Sequence, residues 1–516
     1  MTLAVLSSCA LVGAEMRVVR VEVHISRGLP TFSIVGLPDI GVRESRERVR
    51  SAIASSGFSF PAARVTVNLA PADLPKDSGR FDLPIALGVL LASGQMRIEG
   101  STKTGARPPA VDRFVFAGEL SLTGAIVPVA GSLAIGLGVK QRFPERVLVL
   151  PQSSAVLAAH IPELAVIPVQ TLNQAVDYLC GKCEIAPALA SEIPKPASQI
   201  ICMSEVYGQQ QARLALELAA CGGHSMLMTG PPGVGKSMLA QRLATILPPL
   251  ETQQQLEVAV LHQLDTRASS ANFTFSAEAP FRAPHHSCTV PAMIGGGQRL
   301  RPGEISLAHH GVLFMDEFPE FERRVLESLR EPLENGEVLI ARANQHGRFP
   351  AKFQLIAAMN PCPCGYLGHK QVACKCGAER VNRYRSKLSG PLLDRIDLHL
   401  SLHFEADMMQ KSGKVSEENS ASIRQRVVNC RSVQYQRQGC LNSALQGAAL
   451  EEYAPLHAEA MALLDNAMQR WAWSARTIQR LRRVARTIAD TEEKSLILPE
   501  HVALAMQYRE QTPLTA

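Results

Sequence analysis

The stretch HSMLMTGPPGVGKSMLA, residues 224–240, joins an apolar run to a helical run through a loop of the form G-x-x-x-x-G-K-S. This pattern predicts a buried strand, a phosphate-binding P-loop and a helix that begins at its lysine. The glycines let backbone N–H groups surround phosphate oxygens, and the helix N-terminus attracts negative charge. The loop therefore predicts an ATP-binding α/β core, with ATP bound by Gly230, Pro231, Pro232, Gly233, Val234, Gly235, Lys236 and Ser237.

Two acidic residues follow a second apolar strand, GVLFMDEF at 311–318. We expect Asp316 to bind Mg²⁺ through water, together with the Ser237 hydroxyl, while Lys236 contacts the β- and γ-phosphates. Glu317 is then placed to orient and deprotonate the attacking water as a general base. An acidic pair after a strand is common by itself, but downstream of a P-loop it predicts ATP hydrolysis.

A third strand, FQLIAAMN at 353–360, ends in a polar residue, Asn360. We expect this strand end to lie between the other two, so that the amide senses the γ-phosphate and helps to position the attacking water. The alternative is a turn-forming asparagine before Pro361.

Two arginines in the C-terminal half are candidates for contacts to phosphate. Arg395 follows a short helix in SGPLLDRIDLHL at 389–400, and arginine stabilises charge on a transferring phosphoryl group. Arg476 opens a helix that could fold over the nucleotide. The alternatives are a surface ion pair of Arg395 with Asp394 or Asp397, and a solvated basic helix face for Arg476.

Four cysteines form two C-x-C pairs directly after Asn360, in NPCPCGYLGHKQVACKCG at 360–377. Four thiolates are the ligand set of a structural Zn²⁺ site and leave no position open for catalysis. The C-x-C spacing is tighter than usual, so free thiols, a labile disulfide or His369 as a substitute ligand remain alternatives. We expect a zinc brace between the γ-phosphate sensor and Arg395, formed by Cys362, Cys364, Cys374 and Cys376.

The whole chain has the composition of an ordinary globular protein. Its 516 residues are too many for one core and suggest about two to four domains. The net charge is only +6, so affinity for nucleic acid has to come from local basic patches. The twelve cysteines are mostly scattered, unlike a secreted disulfide framework, which leaves metal binding as the first interpretation of the cluster.

The N-terminal segment MTLAVLSSCALVGAEMR is predicted to be a first strand and not a signal peptide. No basic residue precedes Arg17, and the pattern continues directly into the alternating run RVVRVEVHI. The sequence contains no apolar run of roughly 18 residues, so no transmembrane helix or membrane partner is expected. The resulting expectation is a cytoplasmic protein.

Pattern and composition divide the chain into four segments. Short β patterns alternate with helical ones over 1–184, and a Pro/Ala/Ser-rich stretch at 185–199 has the composition of a linker. An α/β unit with the P-loop covers 200–404, and helices follow over 405–516. The predicted fold class is α/β, with a helical lid at the C-terminus.

The order of these motifs resembles that of the magnesium-chelatase-like AAA+ ATPases, and more narrowly that of the bacterial YifB/ComM competence family. FRAPHHS at 281–287 and the cysteine cluster are its most specific signals, and the match covers essentially the whole chain. The resemblance implies a P-loop AAA+ α/β/α core with hairpin inserts, assembled into a ring that we expect to be a homo-hexamer. It also implies that Arg395 acts on the ATP of the neighbouring subunit and that Arg476 is the sensor 2 arginine.

The resemblance further implies an activity, because similar proteins are ATP-driven DNA helicases that migrate branched DNA during natural transformation. The expected function is a branch-migration translocase in transformation or homologous recombination. One alternative is a chelatase-like or chaperone-like ATPase that remodels a protein or a metal-insertion complex. Another is a non-enzymatic interaction module attached to a regulatory ATPase.

Two inserts typical of this ATPase clade carry candidate DNA-binding residues. The first, GGGQRLRPGEIS at 295–306, precedes the strand of the acidic pair, and the second, NGEVLIARANQHGRFPAKFQ at 335–354, alternates like a hairpin. In a ring both could enter the central channel, where basic side chains bind phosphates without reading sequence. The alternative is that the loops are merely solvated. The basic residues are Arg299, Arg301, Arg342, Arg348 and Lys352.

The N-terminal segment resembles a Lon-protease-like α+β domain, of the ribosomal S5 domain 2-like fold. Segments such as VNLAPADLPKDSGRFDLPIALGVLLASG and FAGELSLTGAIVPVAGSL follow its order of elements. The positions that match the catalytic serine and lysine hold Arg80 and Leu133, and the nearby Ser78 and Lys76 are not in the matching places. A Ser–Lys dyad needs both a hydroxyl and an amine, so we expect a scaffold for ring assembly or DNA guidance and no proteolysis.

Overall fold

The fold is taken from a computed structural model, which describes residues 3–36, 40–72, 74, 76, 79–97, 111–191, 201–265, 275–297, 300–342, 345–369, 371–403 and 418–509. The chain forms two compact units. Unit 1 comprises Met1–Pro194, Ala259–Phe275 and Leu339–Arg348. Unit 2 comprises Lys195–Val258, Ser276–Val338 and Phe349–Ala516, so the predicted lid and most of the predicted ATPase core belong to one unit.

Unit 1 is built on a seven-stranded mixed sheet in the order β3-β4-β2-β1-β5-β8-β9, with a separate two-stranded sheet, β6-β7. Side chains alternate between buried and exposed along the long second strand, as a sheet with one covered face requires. The strands are β1 (Leu3–Val12), β2 (Glu15–Ser26), β3 (Thr31–Val35), β4 (Arg64–Ala70), β5 (Phe114–Phe116), β6 (Glu119–Leu120), β7 (Ile126–Val127), β8 (Val147–Pro151) and β9 (Val166–Val169). The helices are α1 (Ile40–Ser55), α2 (Asp82–Ala92), α3 (Ser132–Arg142), α4 (Gln152–Ala158) and α5 (Leu172–Leu179).

The residues at the Lon-type dyad positions are buried in unit 1. Leu133 begins the buried face of α3, and its backbone N–H donates to Oε1 of Gln263 at 3.0 Å. Arg80 is 4% exposed. Lys76 is also buried and donates to the carbonyl oxygen of Pro71, while Ser78 lies outside the described residues. A nucleophile and its base are therefore absent from these two positions.

Unit 2 is built on a five-stranded parallel sheet in the order β11-β14-β17-β10-β18. Its central strands are buried and almost entirely apolar, as expected where helices cover both faces of a parallel sheet. The strands are β10 (Met226–Thr229), β11 (Phe281–Arg282), β14 (Val312–Met315), β17 (Gln354–Met359) and β18 (Leu398–Ser401). Two antiparallel pairs stand outside this sheet: β12 (Gly295–Gly296) with β13 (Arg301–Pro302), and β15 (Glu337–Arg342) with β16 (Gln345–Pro350), of which residues Leu339–Arg348 belong to unit 1.

The remaining helices lie in unit 2, except that the helix at Thr252–Leu264 runs into unit 1 from Ala259 onward. They are α6 (Gln210–Gly222), α7 (Lys236–Ile246), α8 (Thr252–Leu264), α9 (Val290–Ile294), α10 (Glu304–Leu307), α11 (Arg323–Ser328), α12 (Arg330–Asn335), α13 (Ala378–Arg385), α14 (Gly390–Leu393), α15 (Ser420–Gln438), α16 (Gly447–Tyr453), α17 (Ala458–Trp471), α18 (Ala475–Thr491) and α19 (Pro499–Gln507). The mixed α/β architecture with a helical C-terminal region confirms the predicted fold class. Across the described residues, none of the helices combines the length and apolar character needed to span a bilayer.

Candidate nucleotide-binding site

The P-loop runs from the carboxyl end of β10 to the N-terminus of α7, in the middle of the parallel sheet. Gly233 and Gly235 have φ angles of 80° and 93°, values that favour glycine, and among the described residues beyond its chain neighbours none has an atom within 4 Å of a Cβ built on Gly233. The chain forms a loop here because left-handed residues fit neither the strand before them nor the helix after them. The loop places backbone N–H groups at the helix N-terminus, which suits a phosphate.

Lys236 is held by three acceptors at this loop. Its Nζ donates to the carbonyl oxygens of Gly230 at 2.7 Å and Pro231 at 2.9 Å, and to Oδ1 of Asn360 at 3.0 Å. Partial burial lowers the pKa of Lys236, and the carboxylate of Asp316 acts in the opposite direction. The residue expected to sense the γ-phosphate thus lies beside the residue expected to bind it.

Ser237, the residue after Lys236, lies beside Asp316 at the end of β14. The Ser237 hydroxyl donates to Oδ2 of Asp316 at 2.5 Å. A hydroxyl and a carboxylate are hard oxygen ligands of the kind that Mg²⁺ prefers. This donor pair fits the predicted magnesium site, because both oxygens lie next to the phosphate-binding loop.

Glu317 carries a contact that the sequence did not predict. Its Oε2 lies 3.0 Å from Nδ1 of His286, and its backbone has a φ of 51°. The left-handed backbone turns Glu317 away from the direction of β14, while its N–H donates to Oδ1 of Asp316 at 2.9 Å. The expected general base is therefore paired with an imidazole from the FRAPHHS segment.

The four cysteines after Asn360 converge in space. Sulfur–sulfur distances among Cys362, Cys364 and Cys374 are 3.4, 3.5 and 3.6 Å, and the Sγ atoms of all four cysteines lie within 4.8 Å of one another. Zn–S bonds of about 2.3 Å in a tetrahedron would separate sulfurs by about 3.8 Å, close to these values. All four cysteines are free thiols, and backbone N–H groups of Tyr366 and Lys375 lower the pKa of the Cys364 thiol to about 6.

The alternative ligand His369 does not join the cluster. Its Nδ1 accepts hydrogen bonds from the backbone N–H groups of Gln371 at 3.1 Å and Val372 at 3.0 Å. The ring therefore caps the turn between the two C-x-C pairs. The donor set of the cluster consists of four sulfurs, which fits Zn²⁺.

The cysteine loop packs against the P-loop through Gly365. A Cβ built on this glycine would lie 2.6 Å from Cδ of Pro232 and 3.8 Å from Cγ of Asn360. Contacts under 3 Å force a neighbour to move, and Pro232 is a rigid ring within the phosphate-binding loop. The loop that carries the cluster thus packs closely against Pro232 of the P-loop.

Replacing Gly365 with alanine is expected to weaken ATP binding, because the added methyl group pushes Pro232 and distorts the P-loop. Gly368→Ala is the matched control: its φ is 79°, against 84° for Gly365, but apart from its chain neighbours no described residue has an atom within 4 Å of the new Cβ. Both variants incur the cost of a left-handed alanine, about 1–2 kcal/mol. Titration with a fluorescent ATP analogue should show a Kd raised about tenfold or more for Gly365→Ala only. Equal affinities in the two variants would contradict this packing.

Arg395 and Arg476 lie in a different part of unit 2. Both line a cavity of about 1000 Å³, which we call the arginine cavity, and none of its lining residues belongs to the P-loop. Arg395 pairs with Glu334 and donates to the carbonyl oxygen of Pro391 at 2.6 Å. Asp394 and Asp397 have other partners, so the predicted alternative of an ion pair between Arg395 and its acidic neighbours is wrong.

The candidate DNA-binding residues come from different elements and from both units. Arg301 is exposed on β13, Arg348 is exposed on β16, and Arg342 lies on β15. Lys352 lies beyond β16 and lines the arginine cavity. Arg299 falls outside the described residues.

A second cluster, Glu257 with His309 and His310, is a hydrogen-bonded unit and not a metal site. Both histidines contact Oε2 of Glu257 through Nε2, at 3.1 and 2.8 Å. Nδ1 of His309 accepts the backbone N–H of Lys352 at 2.9 Å, so a neutral ring carries its proton on Nε2. That nitrogen donates to Glu257 and has no lone pair for a metal.

Sequence reasoning missed His286 and Gly365 as parts of the site. The sequence signal for His286 was the FRAPHHS motif, which identified the family but whose histidines were given no function. The signal for Gly365 was its place between Cys364 and Tyr366, immediately after the second cysteine.

Comparison with known proteins places this site in a family. A model described as "Magnesium chelatase, subunit ChlI" matches residues 202–409, which contain the whole nucleotide site. Models described as "Subunit ChlI of Mg-chelatase" and "Magnesium chelatase, subunit ChlI C-terminal" match residues 21–154 and 417–509. The magnesium-chelatase 38 kDa subunit of Rhodobacter capsulatus is 27% identical over 31% of this chain and 49% of its own length.

Two relatives match over nearly their full lengths. A protein named YifB from Salmonella typhimurium is 41% identical over 99% of this chain and 97% of its own. The competence protein ComM of Haemophilus influenzae is 40% identical over 99% of this chain and 98% of its own. With such identity along both chains, the protein belongs to the YifB/ComM family of magnesium-chelatase-like AAA+ proteins.

Proposed function

We propose that this protein hydrolyses ATP and uses the energy to move branched DNA. The observation that carries the ATPase part is the meeting of three strand ends at one edge of the sheet. Lys236 after β10 contacts Asn360 after β17, and Ser237 contacts Asp316 after β14. A phosphate-binding lysine, a magnesium-binding pair and an amide are the components from which phosphoryl transfer sites are built.

Each residue of this group has a distinct role in the proposed hydrolysis. The P-loop N–H groups and Lys236 bind the phosphates, and Ser237 and Asp316 hold Mg²⁺, which neutralises charge on the β- and γ-phosphates. Asn360 orients the attacking water by hydrogen bonding. Glu317 accepts the proton of that water once its carboxylate has left His286.

The proposal includes a ring of identical subunits, with a homo-hexamer expected. Its support is the separation of Arg395 and Arg476 from the P-loop of the same chain, because the arginine cavity contains no P-loop residue. Both arginines then act on the ATP of a neighbouring subunit, where an arginine stabilises the charge of the transition state. Hydrolysis would depend on assembly for this reason.

The DNA part of the proposal is supported by a relative and by basic residues. The name of ComM associates that protein with competence. In this chain Arg301 and Arg348 are exposed on the two hairpins, and such residues bind phosphates irrespective of sequence. The second candidate is a chelatase-like ATPase that remodels a protein or metal-insertion complex, which the partial match to the 38 kDa subunit favours.

Forked DNA is expected to stimulate ATP turnover and to bind with a steep dependence on salt concentration, because the contacts are ionic. The assay measures ATP turnover with and without a forked duplex, and displacement of a labelled branch. The double variant Arg301→Gln/Arg348→Gln should lower DNA affinity and the salt slope, while basal turnover stays unchanged. Equal turnover with and without DNA, combined with no displacement of the branch, would leave the remodelling ATPase as the better candidate.

We also propose that the four-cysteine cluster holds a structural Zn²⁺. Four thiolate ligands fill the tetrahedral sphere of Zn²⁺ and leave no position for water, so the metal would brace the loop and take no part in the chemistry. Through Gly365 the brace supports Pro232 and Asn360 together.

Metal analysis should find about one Zn²⁺ per subunit in freshly purified protein. Cys364→Ser should abolish it and lower the midpoint of thermal unfolding, because the loop loses its cross-link. Cys440→Ser, at a cysteine far from the cluster in sequence, is the control and should retain the metal. Wild-type protein without zinc would refute the brace and leave the ATPase proposal intact.

A further inference from the structure

The wall of the arginine cavity is strongly basic. Six cationic side chains line it, namely Lys352, Arg395, Arg431, Arg476, Arg480 and Arg483, against three acidic ones. Its volume of about 1000 Å³ is in the range that accommodates a bound nucleotide. A cavity with an excess of three positive charges favours a compact polyanion.

Three of these arginines have buried nitrogen atoms without an acceptor among the described residues. These atoms are Nε of Arg395, Nη1 of Arg480 and Nε of Arg483. Buried donors in folded proteins nearly always have a partner, because an unsatisfied one costs free energy. All three residues line one cavity, where a bound anion would supply the missing acceptors.

Among the acidic residues of the wall, Asp397 forms a long ion pair with Arg480 and leaves the buried Nη1 of that arginine without an acceptor in the described part of the chain. Oδ1 of Asp397 lies 3.7 Å from Nε of Arg480, too far for a hydrogen bond, and its Oδ2 contacts Nδ1 of His224 at 3.0 Å. The other two acidic side chains pair with other arginines. Burial lowers the pKa of Arg480 to about 10, and the attraction of Asp397 offsets this only in part.

The helix geometry places the cavity arginines on one face. Arg476, Arg480 and Arg483 are spaced at i, i+4 and i+7 along α18, which aligns side chains on one side of a helix. Arg395 comes from the loop that precedes β18 and lines the same cavity. The four guanidinium groups therefore approach one space from two elements.

We propose that Arg480 and Arg483 are further ATP-binding residues, which with Arg395 contact the polyphosphate of a nucleotide held by the P-loop of a second copy of this chain. The inference rests on the proposed function, since it requires a ring. The nucleotide comes from another copy because no P-loop residue lines the cavity. A duplex is too wide for a cavity of this size, so DNA is not the occupant.

The test uses the full-length variant Arg480→Gln/Arg483→Gln. We expect ATP turnover to fall about ten- to hundredfold, as when charge-stabilising donors are removed from other sites. Binding of fluorescent ATP to the variant's own P-loop should be unchanged, and its thermal unfolding midpoint unchanged or higher, because buried unpaired charges are lost. Arg470→Gln removes one exposed charge from α17 outside the cavity and should behave like wild type.

A mixing experiment tests whether the residues act between subunits. Lys236→Ala subunits lack nucleotide binding but keep the cavity arginines, whereas the double variant binds nucleotide but lacks Arg480 and Arg483. Mixed rings should recover turnover above the sum of the two pure proteins, because some interfaces combine an intact P-loop with intact arginines. Absence of recovery would overturn the inference.

Three other outcomes are decisive. If Arg395→Ala abolishes turnover and the double variant does not, the inference fails and the proposed function stands. If neither Lys236→Ala nor Arg395→Ala affects turnover, the proposed function itself fails. If the double variant loses DNA binding with normal turnover, the two arginines bind DNA phosphates and the inference is wrong; should the double variant misfold, Arg483→Lys in the same assays replaces it.

Discussion

Glu317→Gln is expected to lower ATP turnover by about 10²- to 10⁴-fold, the range that the loss of a general base costs. The amide has the same shape as the carboxylate but accepts no proton from water. Binding of ATP should persist, because Lys236, Ser237 and Asp316 are untouched. Steady-state turnover together with equilibrium binding of a fluorescent ATP analogue measures both quantities.

Glu320→Gln provides the matched control for this prediction. Glu320 lies in the same short turn after β14 but pairs with Nζ of Lys387 at 3.0 Å and does not contact His286. Its loss removes the same charge from the same region and should leave turnover within about twofold of wild type, as surface ion pairs contribute little. Turnover that survives Glu317→Gln would show that another group accepts the proton.

Arg395→Ala is expected to lower turnover by about 10³-fold or more, the contribution of an arginine donated between subunits. The affinity of each P-loop for ATP should change little, because Arg395 lies outside the P-loop site of its own chain. Turnover measured over a range of protein concentrations, with assembly followed by light scattering, separates lost chemistry from lost assembly.

Arg383→Ala is the control for Arg395→Ala, because it removes a nearby arginine that does not line the arginine cavity. Arg383 is exposed on α13 and pairs with Glu379 at 2.9 Å. It should keep wild-type turnover. A loss of ATP affinity in Arg395→Ala that matched its loss of turnover would assign Arg395 to the nucleotide of its own subunit.

The local parts of the candidate site were predictable from the sequence. Strand, P-loop and helix succeed one another within a few residues, so left-handed glycines and apolar runs specify them directly. The meeting of Lys236, Asp316 and Asn360 followed from one rule, that the carboxyl ends of parallel strands share an edge of the sheet. The fold class was predictable for the same reason.

The long-range parts were not predictable from pattern alone. His286 follows the two-residue strand β11, too short to give a periodic signal, and its contact with Glu317 crosses 31 positions of sequence. The hairpin pattern extended through Lys352, but β16 ends at Pro350 and the backbone of Lys352 bonds to His309 instead. Residues 339–348 cluster with unit 1, which no local property of the sequence indicates.

The three hydrogen bonds of Lys236 have a thermodynamic consequence. An ammonium group has three N–H donors, and all three are directed to acceptors of the protein, at Gly230, Pro231 and Asn360. A phosphate oxygen that binds this ammonium group replaces one of these acceptors. The free energy gained is therefore only the difference between the new hydrogen bond and the one that is lost. If the displaced acceptor is the Asn360 amide, nucleotide binding frees that amide to bind water, and by reciprocity a change at Asn360 alters nucleotide affinity.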